Sequence, residues 1–185
     1  FPKSTEAENS IEIVRNIFVE NQTPETFVQF MNEYGKPLSF NEQDSLVYRS
    51  SIIKYDQQKY TEASVGFGKY LQSFPNGKYQ LDAKYLMAEI AYSKEQYDSA
   101  AKYFALVAEQ APNKYAERAV LLAARLHFFE LKQYEKASQL YSQLNTIALQ
   151  QENKNEDKRV KDLKINKINI EKDGSLSQSF GEGFY

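Results

Sequence analysis

The chain of 185 residues contains no cysteine and no tryptophan, and it has a single histidine. Without cysteine it can form neither disulfides nor thiolate metal sites. Its formal net charge of −2 leaves no excess of lysine and arginine, the residues that bind the phosphates of duplex nucleic acid. No apolar run approaches the roughly 18 residues that a membrane-spanning helix needs. We therefore expect neither a nucleic-acid partner nor direct membrane insertion.

Candidate catalytic groups are equally scarce. His127, the single histidine, lies beside Phe128 and Phe129, and no ligand spacing around it supports a metal site. The chain has no G-x-S-x-G nucleophile motif, and its glycine pairs are too sparse for a phosphate loop. The sequence predicts no enzyme, no metal and no cofactor. Because the chain starts at Phe1 without a methionine, we interpret it as a piece of a longer protein, with prior removal of a signal peptide left open.

A pattern that returns every 37 residues is the main positive feature of the sequence. An aromatic residue, an alanine three positions later and a second aromatic residue four positions further recur three times. The repeated positions are Tyr60, Ala63 and Phe67, then Tyr97, Ala100 and Phe104, then Tyr134, Ala137 and Tyr141. Pro75 and Pro112 share the same spacing. A fixed period in this range is typical of stacked helical hairpins, so the sequence predicts an all-α antiparallel repeat array.

The pattern divides the chain into three parts. Residues 1–40 are predicted to form a helical pair, either a degenerate repeat or an N-terminal cap. Residues 41–150 hold three repeats, at about 44–75, 79–112 and 115–149, and Asn41 or Asp44 is expected to begin the first of them. Residues 151–185 form a charged C-terminal tail, for which a short helix, a small hairpin or a loosely docked segment stays open.

The second repeat resembles the tetratricopeptide repeat family. That family places an aromatic residue, an alanine, an aromatic residue and a proline as Tyr97, Ala100, Phe104 and Pro112 stand here, with a small residue, Ala88, in the first helix. Ser51 is the equivalent small residue in the first repeat. The third repeat has Arg125 there, with Ala124 adjacent, so we expect a shifted or slightly open hairpin. The resemblance implies a right-handed superhelix.

A narrower resemblance concerns residues 67–77 and 82–89. These segments are similar to repeats of bacterial envelope proteins, including outer-membrane assembly lipoproteins and periplasmic partners of the Tol–Pal system. With residues 41–46 they are similar to large repeat proteins of Bacteroidetes-type bacteria. The resemblance implies a periplasmic or outer-membrane-associated location.

The resemblance also implies a concave groove lined by the first helix of each repeat. Its predicted lining is rich in aromatic residues and includes carboxylates. These positions are Tyr48, Ile52, Tyr55, Asp56, Asp82, Tyr85, Glu89, Tyr92, Ser93, Leu122, Leu126, Phe129 and Glu130. Aromatic rings are common anchors for peptides, and carboxylates favour a partner that carries lysine or arginine.

The leading functional interpretation is a non-enzymatic scaffold that binds a protein or peptide in this groove. Two alternatives stay open, a structural segment of a longer solenoid and a module that binds glycan or peptidoglycan. The apolar face of Ile11, Val14, Ile17 and Phe18 is interpreted as a cap, and the ends of the solenoid are possible sites of self-association.

Overall fold

The computed structural model describes residues 4–165, 169–170 and 176–177, with side chains up to residue 150. The chain divides into two compact units, Phe1–Tyr141 and Ser142–Tyr185. The remaining residues of the predicted tail lie outside the described part of the chain.

The first unit is built from consecutive helices, which confirms the all-α repeat prediction. From α1 to α7 each helix packs on the next, with the most extensive pairing inside the hairpins α3–α4 and α5–α6. The helices are α1 (Thr5–Glu20), α2 (Pro24–Glu33), α3 (Phe40–Asp56), α4 (Tyr60–Ser73), α5 (Gln80–Ser93), α6 (Tyr97–Ala108), α7 (Ala116–Arg125), a π-helical turn (Leu126–Glu130) that continues α7, and α8 (Tyr134–Ile165).

The second unit contains the C-terminal part of α8 and one pair of short strands. Strand β1 (Asn169–Ile170) pairs antiparallel with β2 (Leu176–Ser177), and Ile170 lies opposite Leu176. The described part of the tail thus consists of a continuation of α8 and these two strands.

The starts of the first three helices carry recognisable start signals, and one of them corrects a prediction. Ser4 caps α1 through its side chain, and Pro24 occupies the first turn of α2. The expectation that Asn41 or Asp44 begins the third helix is wrong, because Ser39 is the cap. The Ser39 backbone N–H donates to Glu42 Oε2 at 2.8 Å and the Glu42 N–H donates to Ser39 Oγ at 3.4 Å, which is a capping box.

The four helical hairpins among the described residues turn in the same way. The second residue after the end of each first helix adopts a left-handed conformation, with φ values of 58°, 60°, 58° and 55° at Gln22, Gln58, Glu95 and Lys132. The pair α1–α2 therefore has the turn geometry of the three hairpins that follow it, although its sequence lacks their aromatic and alanine pattern.

Small residues set the close approach of the two helices within a hairpin. Ala63, Ala88 and Ala100 are completely buried. In the first hairpin, a Cβ added to Gly66 would lie 2.4 Å from Ser51 Oγ. In the third, Ala124 is completely buried and Arg125 is exposed, so the small residue sits one position earlier than the 37-residue period places it.

The one-residue displacement of this alanine follows from the lengths of the loop before α7 and of the π-helical turn after it. The connection Pro112-Asn113-Lys114-Tyr115 is one residue shorter than Pro75–Tyr79. The π-helical turn then contains one extra residue, and the Leu131 N–H donates to the Leu126 carbonyl at 2.9 Å. The extra residue in the π-helical turn compensates for the residue that the loop lacks. Tyr134 therefore begins α8 37 residues after Tyr97 begins α6.

A buried carboxylate joins α3, α4 and the start of α5. Asp44, 2% exposed, accepts a hydrogen bond from the Tyr70 hydroxyl at 2.6 Å and another from the Lys78 backbone N–H at 2.9 Å. The Tyr79 N–H donates to the Tyr70 oxygen at 2.9 Å. Burial, and then the bond to Asp44, raises the pKa of the Tyr70 hydroxyl, which stays protonated and keeps donating.

The next junction makes the same connection with different residues. The counterparts of Asp44 and Tyr70 one period later are Leu81 and Val107, which offer no polar side chain. Instead, Asn113 Nδ2 donates to the Val107 carbonyl at 2.9 Å, and the Tyr115 N–H donates to Asn113 Oδ1 at 2.8 Å. One amide in the shorter loop replaces the carboxylate and the phenol.

We expect two Gly→Ala substitutions to have opposite effects on stability. A Cβ at Gly77 would lie 2.4 Å from both Asp44 Oδ1 and the Tyr70 oxygen, so Gly77→Ala should lower the free energy of unfolding by about 1–3 kcal/mol. Gly68 lies inside α4 with open space around it, so Gly68→Ala should raise that free energy by roughly 0.5–1 kcal/mol. Urea denaturation measures both. Equal effects would contradict the packing at Gly77.

Candidate functional site

Two of the predicted groove tyrosines form stacks between repeats. Tyr48 stacks on Tyr79 with ring centroids 4.4 Å apart, and Tyr85 stacks on Tyr115 with centroids 4.2 Å apart. Lys78 Nζ and Lys114 Nζ lie 5.4 and 4.6 Å from the centroids of the Tyr79 and Tyr115 rings. Tyr85 is only 5% exposed and Tyr48 is half-buried, so both rings belong to the interface between repeats.

Tyr79 and Tyr115 are not among the residues predicted for the groove. Their signal was present, because a Lys-Tyr pair follows the Pro-Asn turn in both repeats, as Lys78-Tyr79 and Lys114-Tyr115. The pair places an aromatic ring at the N-terminus of each first helix. There it stacks on a tyrosine of the same face.

Two of the four predicted carboxylates, Asp82 and Glu89, are paired within the chain. Asp82 accepts hydrogen bonds from Lys114 Nζ at 2.6 Å and from the Tyr115 hydroxyl at 2.5 Å. Glu89 accepts from the Tyr55 hydroxyl at 3.1 Å and from Arg118 at 3.4 Å. Burial and then the negative charge of Glu89 raise the pKa of Tyr55 to about 12. Both carboxylates therefore have cationic partners before any ligand arrives.

The other predicted positions lie at the margins of this face. Ile52 is partly buried against the cluster that contains Phe67 and Tyr70, whereas Asp56 and Ser93 are exposed at the ends of α3 and α5.

Tyr92 differs from Tyr55, its counterpart one period earlier. Tyr55 reaches Glu89 on the next first helix. With the one-residue shift of α7 described above, the counterpart of Glu89 one repeat later is Arg125, which accepts no hydrogen bond. Tyr92 is 49% exposed, and its ring lies 6.3 Å from that of Tyr97. The tyrosine at this repeat position is therefore held by a hydrogen bond in one repeat, as Tyr55, and exposed to solvent in the next, as Tyr92.

An open cavity of about 240 Å³ lies between Tyr92 and the end of α7. Phe129, 54% exposed, lies on its other side, and Leu126, 2% exposed, lines it from the buried side. The remaining lining residues are Leu122, Arg125 and Glu130. The structure thus brings together five predicted groove residues, Tyr92, Leu122, Leu126, Phe129 and Glu130, and adds Arg125, which no aromatic or acidic pattern indicated.

The π-helical turn supplies three of the six lining residues. Leu126, Phe129 and Glu130 all belong to it, and Phe128 on the same turn packs edge-on against Phe129 with ring centroids 4.9 Å apart. Such turns are often found at functional sites. We call the six residues Tyr92, Leu122, Arg125, Leu126, Phe129 and Glu130 the Tyr92–Phe129 cavity.

A second and larger concavity of about 380 Å³ lies at the N-terminal end, between α1, α3 and the connection before α3. Its charged residues include Arg15, which pairs with Glu12, and Glu42, which is engaged in the capping box. None of the residues predicted for the groove lies there.

Within the part of the chain that the structure describes, no helix has both the length and the apolar character needed to cross a bilayer. In the same residues, no group of three or more His, Cys, Asp or Glu side chains is placed to hold a metal ion.

Comparison of the chain with protein-family models, with curated proteins and with solved structures finds no match. The tetratricopeptide resemblance therefore rests on the sequence pattern.

His127 provides a measurable report on the π-helical turn. Burial, followed by the positive charge of Lys136, lowers its pKa below the ordinary value of 6.5. Well above pH 6.5 the imidazole is neutral in both folded and unfolded chains. As the pH falls from 6.5 towards the folded pKa, the unfolded chain takes up the proton first, so the free energy of unfolding should decrease.

The chain has one histidine, so proton NMR of its imidazole should show a single titration centred below pH 6.5. In a His127→Gln variant, the decrease in the free energy of unfolding between pH 6.5 and the folded pKa should disappear. A midpoint above 6.5 would contradict the buried environment described here.

Proposed function

We propose that the protein is a non-enzymatic interaction scaffold of the tetratricopeptide repeat type, and that it binds a protein or peptide segment at the Tyr92–Phe129 cavity. One observation carries the proposal: two half-exposed aromatic rings on consecutive first helices flank an open cavity with a buried leucine in its lining. Exposed rings around a desolvated pocket are the usual anchors of protein interfaces.

The size of the cavity favours a side chain over a small-molecule ligand. At about 240 Å³ it is smaller than the roughly 300–1,000 Å³ of typical small-molecule sites. One large apolar side chain of a partner, inserted between Tyr92 and Phe129, would bury the exposed faces of both rings. The partner residue is therefore leucine-like or phenylalanine-like.

The pairing of the carboxylates changes the chemistry expected of the partner. Asp82 and Glu89 already contact Lys114 and Arg118, so a basic partner residue would have to displace an existing cation. The cavity itself carries one cation, Arg125, and one carboxylate, Glu130, both exposed. Apolar burial provides the affinity, and these two charges orient the segment.

The lining of the cavity favours a peptide over a glycan. A glycan site needs flat rings with amide neighbours, and the six lining residues include neither asparagine nor glutamine. The resemblance to envelope repeat proteins makes envelope proteins the first partners to test, and fractionation of the source cells would test the proposed location.

Peptide display on the full chain tests the proposal. We expect selected peptides to share one large apolar residue. The double variant Tyr92→Ala/Phe129→Ala should weaken their binding at least about tenfold, because losing buried aromatic anchors costs more than 1.4 kcal/mol.

The matched control for this test is Tyr34→Ala. Tyr34 is a 39% exposed ring at the end of α2 that stacks on Phe30, far along the chain from the cavity. Its removal should leave peptide affinity unchanged. Equal binding to the double variant and to the wild type would refute the site, and failure to select any peptide would favour a structural segment without its own ligand.

A further inference from the structure

The first helices of the four hairpins carry one equivalent apolar residue each. The position lies five residues before the left-handed turn residue in the first three hairpins, and six residues before it in the fourth, because the π-helical turn contains one extra residue. It is occupied by Ile17, Ile53, Ile90 and Leu126. Its environment shows what normally covers this face of a first helix.

In the last three hairpins the residue packs on the preceding hairpin. Ile53 packs against the cluster that contains Val19, Phe27 and Met31 of α1–α2. Ile90, 3% exposed, belongs to the cluster of Phe67 and Phe74 in α4. Leu126, 2% exposed, belongs to the cluster of Phe104 and Val107 in α6. The position is the centre of each junction between hairpins.

At α1 the same face is open. Ile17 is 51% exposed, and Ile13, one turn earlier on the same side, is 61% exposed. A position that is buried or half-buried at three junctions is therefore exposed in the first hairpin, among the residues described. We call Ile13 and Ile17 the head face.

The second helix of the last hairpin shows the reverse situation. The second aromatic position of the repeat is 0% exposed at Phe67 and 1% exposed at Phe104, because α5 and α7 cover it. Its counterpart Tyr141 is 38% exposed, and Tyr134, two turns earlier on the same side of α8, is 57% exposed. We call Tyr134 and Tyr141 the tail face.

The geometry points to head-to-tail association of two copies of this chain, in which the tail face of one copy packs against the head face of the next. The occupant follows from continuity with the three internal junctions, each of which joins an aromatic second helix to an aliphatic first helix. A tail face and a head face are the two halves of such a junction. Because the contact is heterologous, it leaves one free head face and one free tail face on each open assembly and does not close into a two-fold dimer.

The prediction concerns the ends of the repeat array and is independent of the Tyr92–Phe129 cavity. Sedimentation velocity of the full chain, up to about 100 µM, should show a mass that rises with concentration, as expected for a dissociation constant in the micromolar range. A strictly monomeric chain over this range would overturn the inference.

Two variants make the test specific for a head-to-tail contact. Ile17→Glu blocks the head face and Tyr141→Glu blocks the tail face, and both residues are exposed, so circular dichroism should show unchanged helicity. Each variant alone should remain monomeric. An equimolar mixture should form a heterodimer and nothing larger, because one intact head and one intact tail remain.

The control is Val65→Glu. Val65 is 56% exposed on α4, and its counterparts Lys102 and Gln139 are polar, so the repeat does not require an apolar residue at this position. The variant should associate as the wild type does. A Tyr141→Glu chain that still associates alone would show a two-fold contact between head faces, and a monomeric mixture would show that the two faces do not meet; either result overturns the inference.

Discussion

The close approach of paired helices at small residues is the constraint on which the rest of the first unit depends. Ala63, Ala88, Ala100 and Ala124 are completely buried, and no larger side chain fits where they lie. This approach fixes the distance between the helices of a hairpin. Rings such as Phe67 then fill the space one turn away and form the surface on which the next hairpin packs.

The polar contacts at the start of each first helix follow from that packing, and they are not repeated residue by residue. Asp44 and Tyr70 make the connection at one junction, and Asn113 makes it alone at the next. Both arrangements satisfy a backbone N–H at the start of the following helix. The repeat thus preserves a requirement for hydrogen bonding while the side chains that meet it change.

The period and the small residues were sufficient to predict the hairpins, because each depends on contacts within one repeat. The site was less predictable, since exposure depends on the next repeat. Tyr85 and Tyr92 are both tyrosines on α5, yet Tyr85 is buried by Tyr115 and Tyr92 is left open beside Leu126. No local pattern around Tyr92 encodes the identity of a residue 34 positions later. The cap at Ser39 was missed although its Glu42 partner was visible in the sequence.

The π-helical turn has a consequence for how such a chain can diversify. It absorbs a length difference that arises in the loop at Pro112, and in doing so it carries Phe128 and Phe129 to the surface. A one-residue insertion or deletion in a loop, paired with a change of helical pitch, can therefore create a new aromatic surface without altering the signature residues. Recognition by this protein would then evolve through indels in its connections as readily as through substitutions in its groove.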